Sequence, residues 1–588
     1  MISRSEITYQ GTYFDHSIQQ LPLRPSLFIL FCITVLTLTV YGKVFTHSFI
    51  NYDDRYIITD RIDKYDGMTW ENIQDIFVND FPREEPLLLR DFSYLINAEI
   101  FGPLNPQGYL WGNIILHIGV SFLVYFLGLH LFPGNYCLAM LAAIFFVLHP
   151  VHVESVAWIS SRKDPLYTLF FLAAFLSYAR YLSQGKGVYL VLGLLLFAAS
   201  LLSKASAIAF LPAIICYRFL IIRHKPWRSG ELFFFSTTLA LTVFYTKWYT
   251  GILKAYGIVI PNSMIHRDWA LWALGASEYV TFYLGKFFFP KELSPFYDFP
   301  APGLVFYNIP YLIASLAVVL SIMVIFWLRR FHEDQRLTFL ICFFGCALLP
   351  YLDFARVGIY VADRYLYLAS VALSILVARV LVGIYQRAQN CRTRGGVIVV
   401  VVILCILCGL QTVKAVTNWD NTTIFWQNAN RVAPDRADTY SGLMGQYLNF
   451  YLKNPKDPYA QLAVAEAEKI GLRAMEKLCP SRRNCPQKLC QVTTLLAGIY
   501  ADKNKNDLAD SYFDLTFAIN KKYIMGRYTY AIILLRRGRY AEASGQLALI
   551  KKQAHPYLNR DILHDVTTRL IPLADQHLDP SATGKNRP

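Results

Sequence analysis

Charge is scarce in this chain. Lys, Arg, Asp and Glu together supply 16% of its 588 residues, while apolar side chains supply 55%. A soluble domain carries roughly a quarter charged residues, so the shortfall excludes an ordinary soluble protein and points to lipid. A leader signature is lacking too. The segment before the first apolar run is polar and mixed in charge, and the run from Phe28 to about Tyr41 has no small-residue cleavage site, which predicts an anchor that stays in the membrane. No histidine lies near Cys479, Cys485 and Cys490, so these three lack a fourth zinc ligand. On an oxidising side of a membrane, two of them would form a disulfide. The other cysteines lie in or beside apolar runs, where Cys behaves as a small hydrophobe. What the chain has in excess is basic charge, +15 net. Much of it falls in short loops between apolar runs, which is the positive-inside pattern. No nucleic-acid partner is expected.

Apolar runs near 26–47, 109–131, 136–150, 165–184, 188–203, 206–222, 231–249, 308–328, 336–352, 364–386 and 396–416 predict about eleven spans. Basic loops set their sidedness: Arg218, Arg223, Lys225 and Arg228; Arg329, Arg330 and Arg336; and Arg387, Arg392 and Arg394 are all expected on the cytoplasmic side. Both flanks of the run 269–289 then come out external. With Glu278 and Lys286 among its aromatics, it is expected to be a re-entrant or interfacial helix. The domains predicted are a cytoplasmic segment 1–25, a transmembrane domain 26–417 with an external loop 48–108, and an extracytoplasmic domain 418–580. After Asn418 the pattern becomes that of soluble helix. A period of 34 relates Ala497 to Ala531, Ala509 to Ala543 and Phe513 to Leu547, as in a tetratricopeptide-repeat-like α-solenoid with a concave face for peptide or protein. The fold class expected is all-α, a polytopic helical bundle followed by this solenoid.

Candidate chemistry gathers on the external side. Asp53 and Asp54 directly follow the first span, where ionisable groups are costly. A carboxylate at the water boundary can accept a proton from an attacking hydroxyl. Trp70, Ile73 and Phe77 recur at helical spacing and predict a surface-lying helix. Arg90 and Asp91 follow, with Asn113 and His117 inside the second span. Three further polar stretches fall at external span ends: His149, His152 and Glu154 running on to Ser160–Asp164; Ser203 with Lys204; and Asp363, Arg364 and Tyr365, preceded by Asp353 and Arg356. Each has a structural alternative. The aspartates can start a solvated loop, His149 and His152 can cap helices, Arg162 and Arg364 can snorkel, and Lys204 can mark topology. No metal-ligand set is assigned. Carboxylates and cations at one membrane face suit an amphipathic substrate with its phosphate at the interface and its tail in lipid.

The Asp-Asp pair, HPVHVESVAWISSRKD (149–164), LLSK (201–204), LSPFYDFP (293–300) and ADRYLYL (362–368) occur in that order, with repeats after the last span. In this the chain resembles the transmembrane and tetratricopeptide-repeat protein O-mannosyltransferases and their bacterial relatives, which are GT-C integral-membrane glycosyltransferases. The resemblance covers nearly the whole chain. It implies a GT-C-type bundle and an inverting transfer of one sugar from a polyprenyl-phosphate carrier to a hydroxyl, Ser or Thr of a protein, on the external face. It implies Asp53 or Asp54 as the base, without choosing between them. Arg162, Lys204 and Arg364 would hold the donor phosphate, and His149, His152, Glu154, Asp363 and Tyr365 would line the cavity. The lipid-linked sugar is the only cofactor-like molecule implied; a divalent-metal requirement stays open. The bilayer, the donor and an acceptor protein on the repeat domain are the partners implied. Two features depart from the pattern: Ala205 follows LLSK where relatives often carry a carboxylate or Pro, and the repeat array is short. The short array points to a bacterial inner membrane rather than an endoplasmic-reticulum membrane. The competing readings are the same chemistry on a lipid or surface polysaccharide, and a non-catalytic scaffold or lipid-linked-sugar flippase. A flippase would more naturally show inverted repeats with broken helices at mid-membrane.

Overall fold

The computed structural model describes residues 23–79, 85–255, 269–298, 334–352, 361–481, 485–555 and 559–578, with isolated positions between 313 and 327. Most of the run 308–328, most of the segment 1–25, the last two residues of LSPFYDFP, and Arg329, Arg330, Asp353 and Arg356 lie outside the described residues. Within them every regular element is helical, and the chain is a multi-pass membrane protein. Five helices are long and apolar enough to cross a bilayer: Ser26–Thr46, Pro106–Leu131, Ile159–Gln184, Ala369–Arg387 and Cys391–Trp419. A bent pair, Tyr136–Leu148 with Pro150–Ala157, turns through 53° and makes a sixth if counted as one span. Its break has a local cause. His149 is extended and Pro150 opens the next turn, as expected where proline removes a backbone donor and pushes its predecessor out of the helical region.

Among the described residues, which leave out most of the run 308–328, five or six helices thus pass on length and apolarity. Gly187–Ser203, Ala205–Leu220 and Arg336–Tyr351 are apolar but shorter. Trp269–Phe288 is one unbroken helix. Helix starts follow simple capping chemistry: Asn105, Asn135 and Asn390 each accept the backbone N–H three residues on, at 3.4, 3.1 and 2.8 Å. Ile159–Gln184 has 67% of its apolar window buried and forms the centre of the bundle, whereas Cys391–Trp419 has 6% and keeps its Ile, Val and Leu side chains for lipid.

Contacts divide the chain into two units. The first comprises Met1–Leu253, Ile260–Pro295 and Phe299–Asn421; the second comprises Lys254–Val259, Phe296–Asp298 and Thr422–Pro588. In the second, helices pair as hairpins: Ala437–Lys453 with Ala460–Leu478, Leu489–Asp502 with Asn506–Ile519, and Ile524–Arg536 with Tyr540–Gln553. The positions related by the 34-residue period (Ala497 and Ala531, Ala509 and Ala543, Phe513 and Leu547) are all fully buried in one core. Gly538, at φ +74, makes the tight turn before Tyr540. Cys479 bonds to Cys485, with Cα atoms 5.0 Å apart, and Cys490 is a buried free thiol. Phe296 stacks on Trp426 at 5.6 Å, and Asp298 accepts the Asp435 N–H at 3.1 Å.

Candidate functional site

Polar residues of the first unit meet where helices stop. Asp53 begins the short helix Asp53–Ile57, Lys204 is the extended residue after Gly187–Ser203, and Arg364 lies in the 3-10 turn Asp363–Leu366. The stretch from Pro150 to Arg162 is itself a series of short turns. Backbone left unpaired at such breaks needs side-chain partners, and the local sequence supplies them. Asn113 donates to the carbonyls of Val156 and Trp158 at 3.2 and 3.0 Å. Tyr94 donates to the Ile159 carbonyl at 2.8 Å.

The two adjacent aspartates part company here. Asp54 is fully buried. One of its oxygens accepts the Ile50 N–H at 2.9 Å, and the other accepts the Ser160 N–H at 3.0 Å together with the Ser160 hydroxyl. Burial pushes the Asp54 carboxyl up to about 6 against the pull of these donors. Asp54 thus fastens the start of the 48–108 loop to the 158–162 turn. Asp53 is only half-buried. Burial raises its carboxyl to about 6 as well, opposed by the Lys163 and Arg364 charges and reinforced by Asp54 and Glu85. Asp53 therefore lies within the electrostatic reach of Lys163 and Arg364.

Of the cations expected at a phosphate, Arg162 is committed elsewhere. Its Nε donates to Asn113 Oδ1 at 2.8 Å and its Nη1 to the Ser93 carbonyl at 3.0 Å, with further bonds to Asn97 Oδ1 and the Tyr109 carbonyl. Its guanidinium lies over the Tyr94 ring at 4.6 Å. A Cβ on Gly112 would stand 2.7 Å from Arg162 Nη2 and 2.5 Å from Asn97 Oδ1, so a larger residue there would push this pair of side chains aside. Arg162 holds the fold of the site together. Lys204 pairs with Asp164 at 2.5 Å, its ammonium 5.2–5.5 Å from the rings of Tyr167, Tyr351 and Tyr365. Arg364 donates its backbone N–H to Glu154 at 2.8 Å and its guanidinium to the same carboxylate. Both pairs are buried, with side-chain exposures of 8% and 0%, and 9% and 1%. A third pair is more open: Lys163 and Glu85 meet at 2.7 Å with 18% and 22% exposure.

The remaining expected residues are near but occupied. His152 uses both ring nitrogens, on the Phe146 carbonyl at 2.6 Å and Ser370 Oγ at 2.7 Å. His149 stacks on Phe287 at 4.4 Å and bonds its carbonyl at 2.8 Å. Asp363 accepts the Ser294 N–H at 3.2 Å, and Tyr365 stacks on Tyr351 at 4.2 Å. His117 bonds Tyr367 at 2.7 Å. Within the surface helix expected around Thr69–Phe77, Trp70 is 71% exposed and Ile76 is the buried residue. Lys163, Asp164 and Glu85 were not among the expected site residues. Lys163 and Asp164 close the 149–164 stretch, but nothing in its spacing marks them, and Glu85 lies 78 residues from its partner.

Comparisons with known proteins agree with the resemblance read from the motifs. Residues 89–249 match the family model described as dolichyl-phosphate-mannose-protein mannosyltransferase. The chain is 30% identical to human protein O-mannosyl-transferase TMTC1 over 214 residues, covering 32% of this chain and 23% of that protein. It is 24% identical over 359 residues to the Caenorhabditis elegans protein O-mannosyl-transferase F38B6.6, covering 60% and 49%. The chain thus spans less than half the length of these curated relatives. Among solved structures it is similar to an Archaeoglobus fulgidus oligosaccharyltransferase (14% identity, 75% and 59% covered, TM-score 0.36). It is also similar to ArnT from Cupriavidus metallidurans bound to undecaprenyl phosphate (13%, 89% and 80%, TM-score 0.33).

Proposed function

We propose that the chain is a membrane glycosyltransferase that moves mannose from a polyprenyl-phosphate carrier to a Ser or Thr hydroxyl of a protein on the extracytoplasmic face. The sugar comes from the family description and the names of the relatives. The observation that carries the mechanism is the divergence of the two aspartates: Asp54 is spent on three donors, while Asp53 stays half-open beside Lys163 and Arg364. Asp53 is the general base. The acceptor oxygen attacks the anomeric carbon and its proton passes to the Asp53 carboxylate. The bond from that carbon to the phosphate oxygen breaks, and the polyprenyl phosphate leaves with the electron pair. The cations of the cluster stabilise the charge on that leaving group, and Asp54 positions its neighbour.

The Cys479–Cys485 bond supports an external second unit, because disulfides persist in oxidising compartments. The buried 34-residue repeat positions support a tetratricopeptide-like array that presents the acceptor. The test replaces each aspartate by Asn in the full chain and follows glycan mass on extracytoplasmic proteins alongside protein abundance. Asp53→Asn is expected to lose about 100-fold or more of product at normal abundance, the scale of one general base. Asp54→Asn should lower abundance and thermal stability as well. Wild-type product from Asp53→Asn would remove Asp53 as the base.

A further inference from the structure

Among the described residues, Lys163, Lys204 and Arg364 are each paired with a carboxylate, and Arg162 is spent on uncharged acceptors, so an anionic donor must take one of the three paired cations from its partner. Cost decides which. Separating Lys204 from Asp164, or Arg364 from Glu154, strands a carboxylate that is 0% or 1% exposed. Breaking a buried pair in this way is strongly destabilising, because it leaves an uncompensated buried charge. Lys163 and Glu85 are each about a fifth exposed, so water reaches both groups when they part and their separation costs less than that of the two buried pairs. Lys163 also carries the foremost charge acting on Asp53. Although burial pushes Glu85 up, Lys163, then Arg90 and Lys204, draw it down to about 2. Glu85 is therefore an ionised group held among cations, and Tyr249 reaches its other oxygen at 3.4 Å. Its surroundings are those an anionic headgroup would need.

We infer that Lys163 is the cation that takes the donor phosphate, and that the Glu85 carboxylate holds this seat until the phosphate displaces it. The inference rests on the glycosyltransferase reading and adds to it a residue for phosphate recognition and an internal competitor. It makes the two members of one ion pair act in opposite directions on binding, which a purely structural tie would not do.

The test uses the full chain in lipid nanodiscs, with undecaprenyl phosphate as the probe and inorganic phosphate as a second arm. Lys163→Met should bind undecaprenyl phosphate roughly tenfold more weakly, the scale of one charged hydrogen bond, and Lys163→Arg should restore part of that loss. Glu85→Gln should bind severalfold more tightly than wild type, and the gain should vanish in the Glu85→Gln, Lys163→Met double variant. Thermal midpoints without ligand report whether each variant is folded. If Glu85→Gln weakens binding as Lys163→Met does, or if Lys163→Met binds like wild type, the inference is wrong while the glycosyltransferase reading stands. If wild type binds no undecaprenyl phosphate, or binds inorganic phosphate equally well, the lipid-donor reading falls and this seat falls with it.

Discussion

Asp53 and Asp54 are adjacent in sequence and opposite in circumstance, because a helix start points successive side chains in different directions. Asp54 turns to Ile50 and Ser160, and Asp53 turns to Lys163 and Arg364. If Asp53 is the base of the proposed transfer, that reaction has a pH signature. Asp53, held at about 6 mainly by burial, must be deprotonated to accept a proton. Lowering the pH through 6 protonates it and removes the base, so kcat/KM should fall on the acid side with an apparent pKa near 6. The residual rate of Asp53→Asn should lack that limb; a pH profile of both proteins checks it. Arg162 shows the other lesson of this scale. Read from sequence it is a cation at the interface, yet its guanidinium is spent on Asn113, Ser93, Asn97 and Tyr109. Identity of a side chain was legible in the sequence; its allocation of hydrogen bonds was not.

The elements themselves were legible wherever an apolar run was long, and their breaks wherever proline stood, as at Pro150. The count of spans was less legible, since short apolar runs look alike whether or not they cross. The loop between Phe210–Leu220 and Ser229–Ala255 illustrates a subtler point. Arg223, Lys225 and Arg228 in it, together with Arg218 at the end of the preceding helix, are read from sequence as a cytoplasmic marker, but Arg218 is buried against Glu231 at 2.7 Å and donates to the carbonyls of Ile222 and Lys225. Glu231 also accepts the Arg228 N–H at 2.7 Å and the Tyr178 hydroxyl at 3.2 Å. One of the four charges is thus neutralised within the fold. Glu231→Ala should strand that guanidinium and cost about 3–5 kcal/mol, seen as a lower thermal midpoint in detergent. A Glu231→Gln variant, which keeps the acceptor but not the charge, should lose less.

At the scale of the molecule, the LSPFYDFP stretch has a role its sequence did not announce. Ser294 bonds to Asp363 in the first unit, whereas Phe296–Asp298 belong to the second, with Phe296 packed on Trp426 and under Arg436 at 5.2 Å. Phe296 is 2% exposed. Phe296→Ala should therefore cost the second unit about 3 kcal/mol or more. Limited proteolysis should then show faster cleavage after residue 422, with the membrane helices still protected. The repeat period, by contrast, is legible in the sequence because stacked helix pairs impose the same small and large residues at fixed intervals.

Composition and motif order were sufficient to determine a membrane protein, an all-helical fold, a set of carboxylates and cations at helix ends, and the family it resembles. Those properties depend on residue type and spacing along the chain. Tertiary structure alone decided which aspartate is spent on three donors, which partners hold Arg162, and that Lys163 pairs with Glu85. Each of those outcomes depends on burial and on partners far apart in sequence: Asp54 and Ser160 are separated by 106 residues, and Glu154 and Arg364 by 210. Hydrogen bonds and desolvation act through space, and only the fold brings those partners within reach.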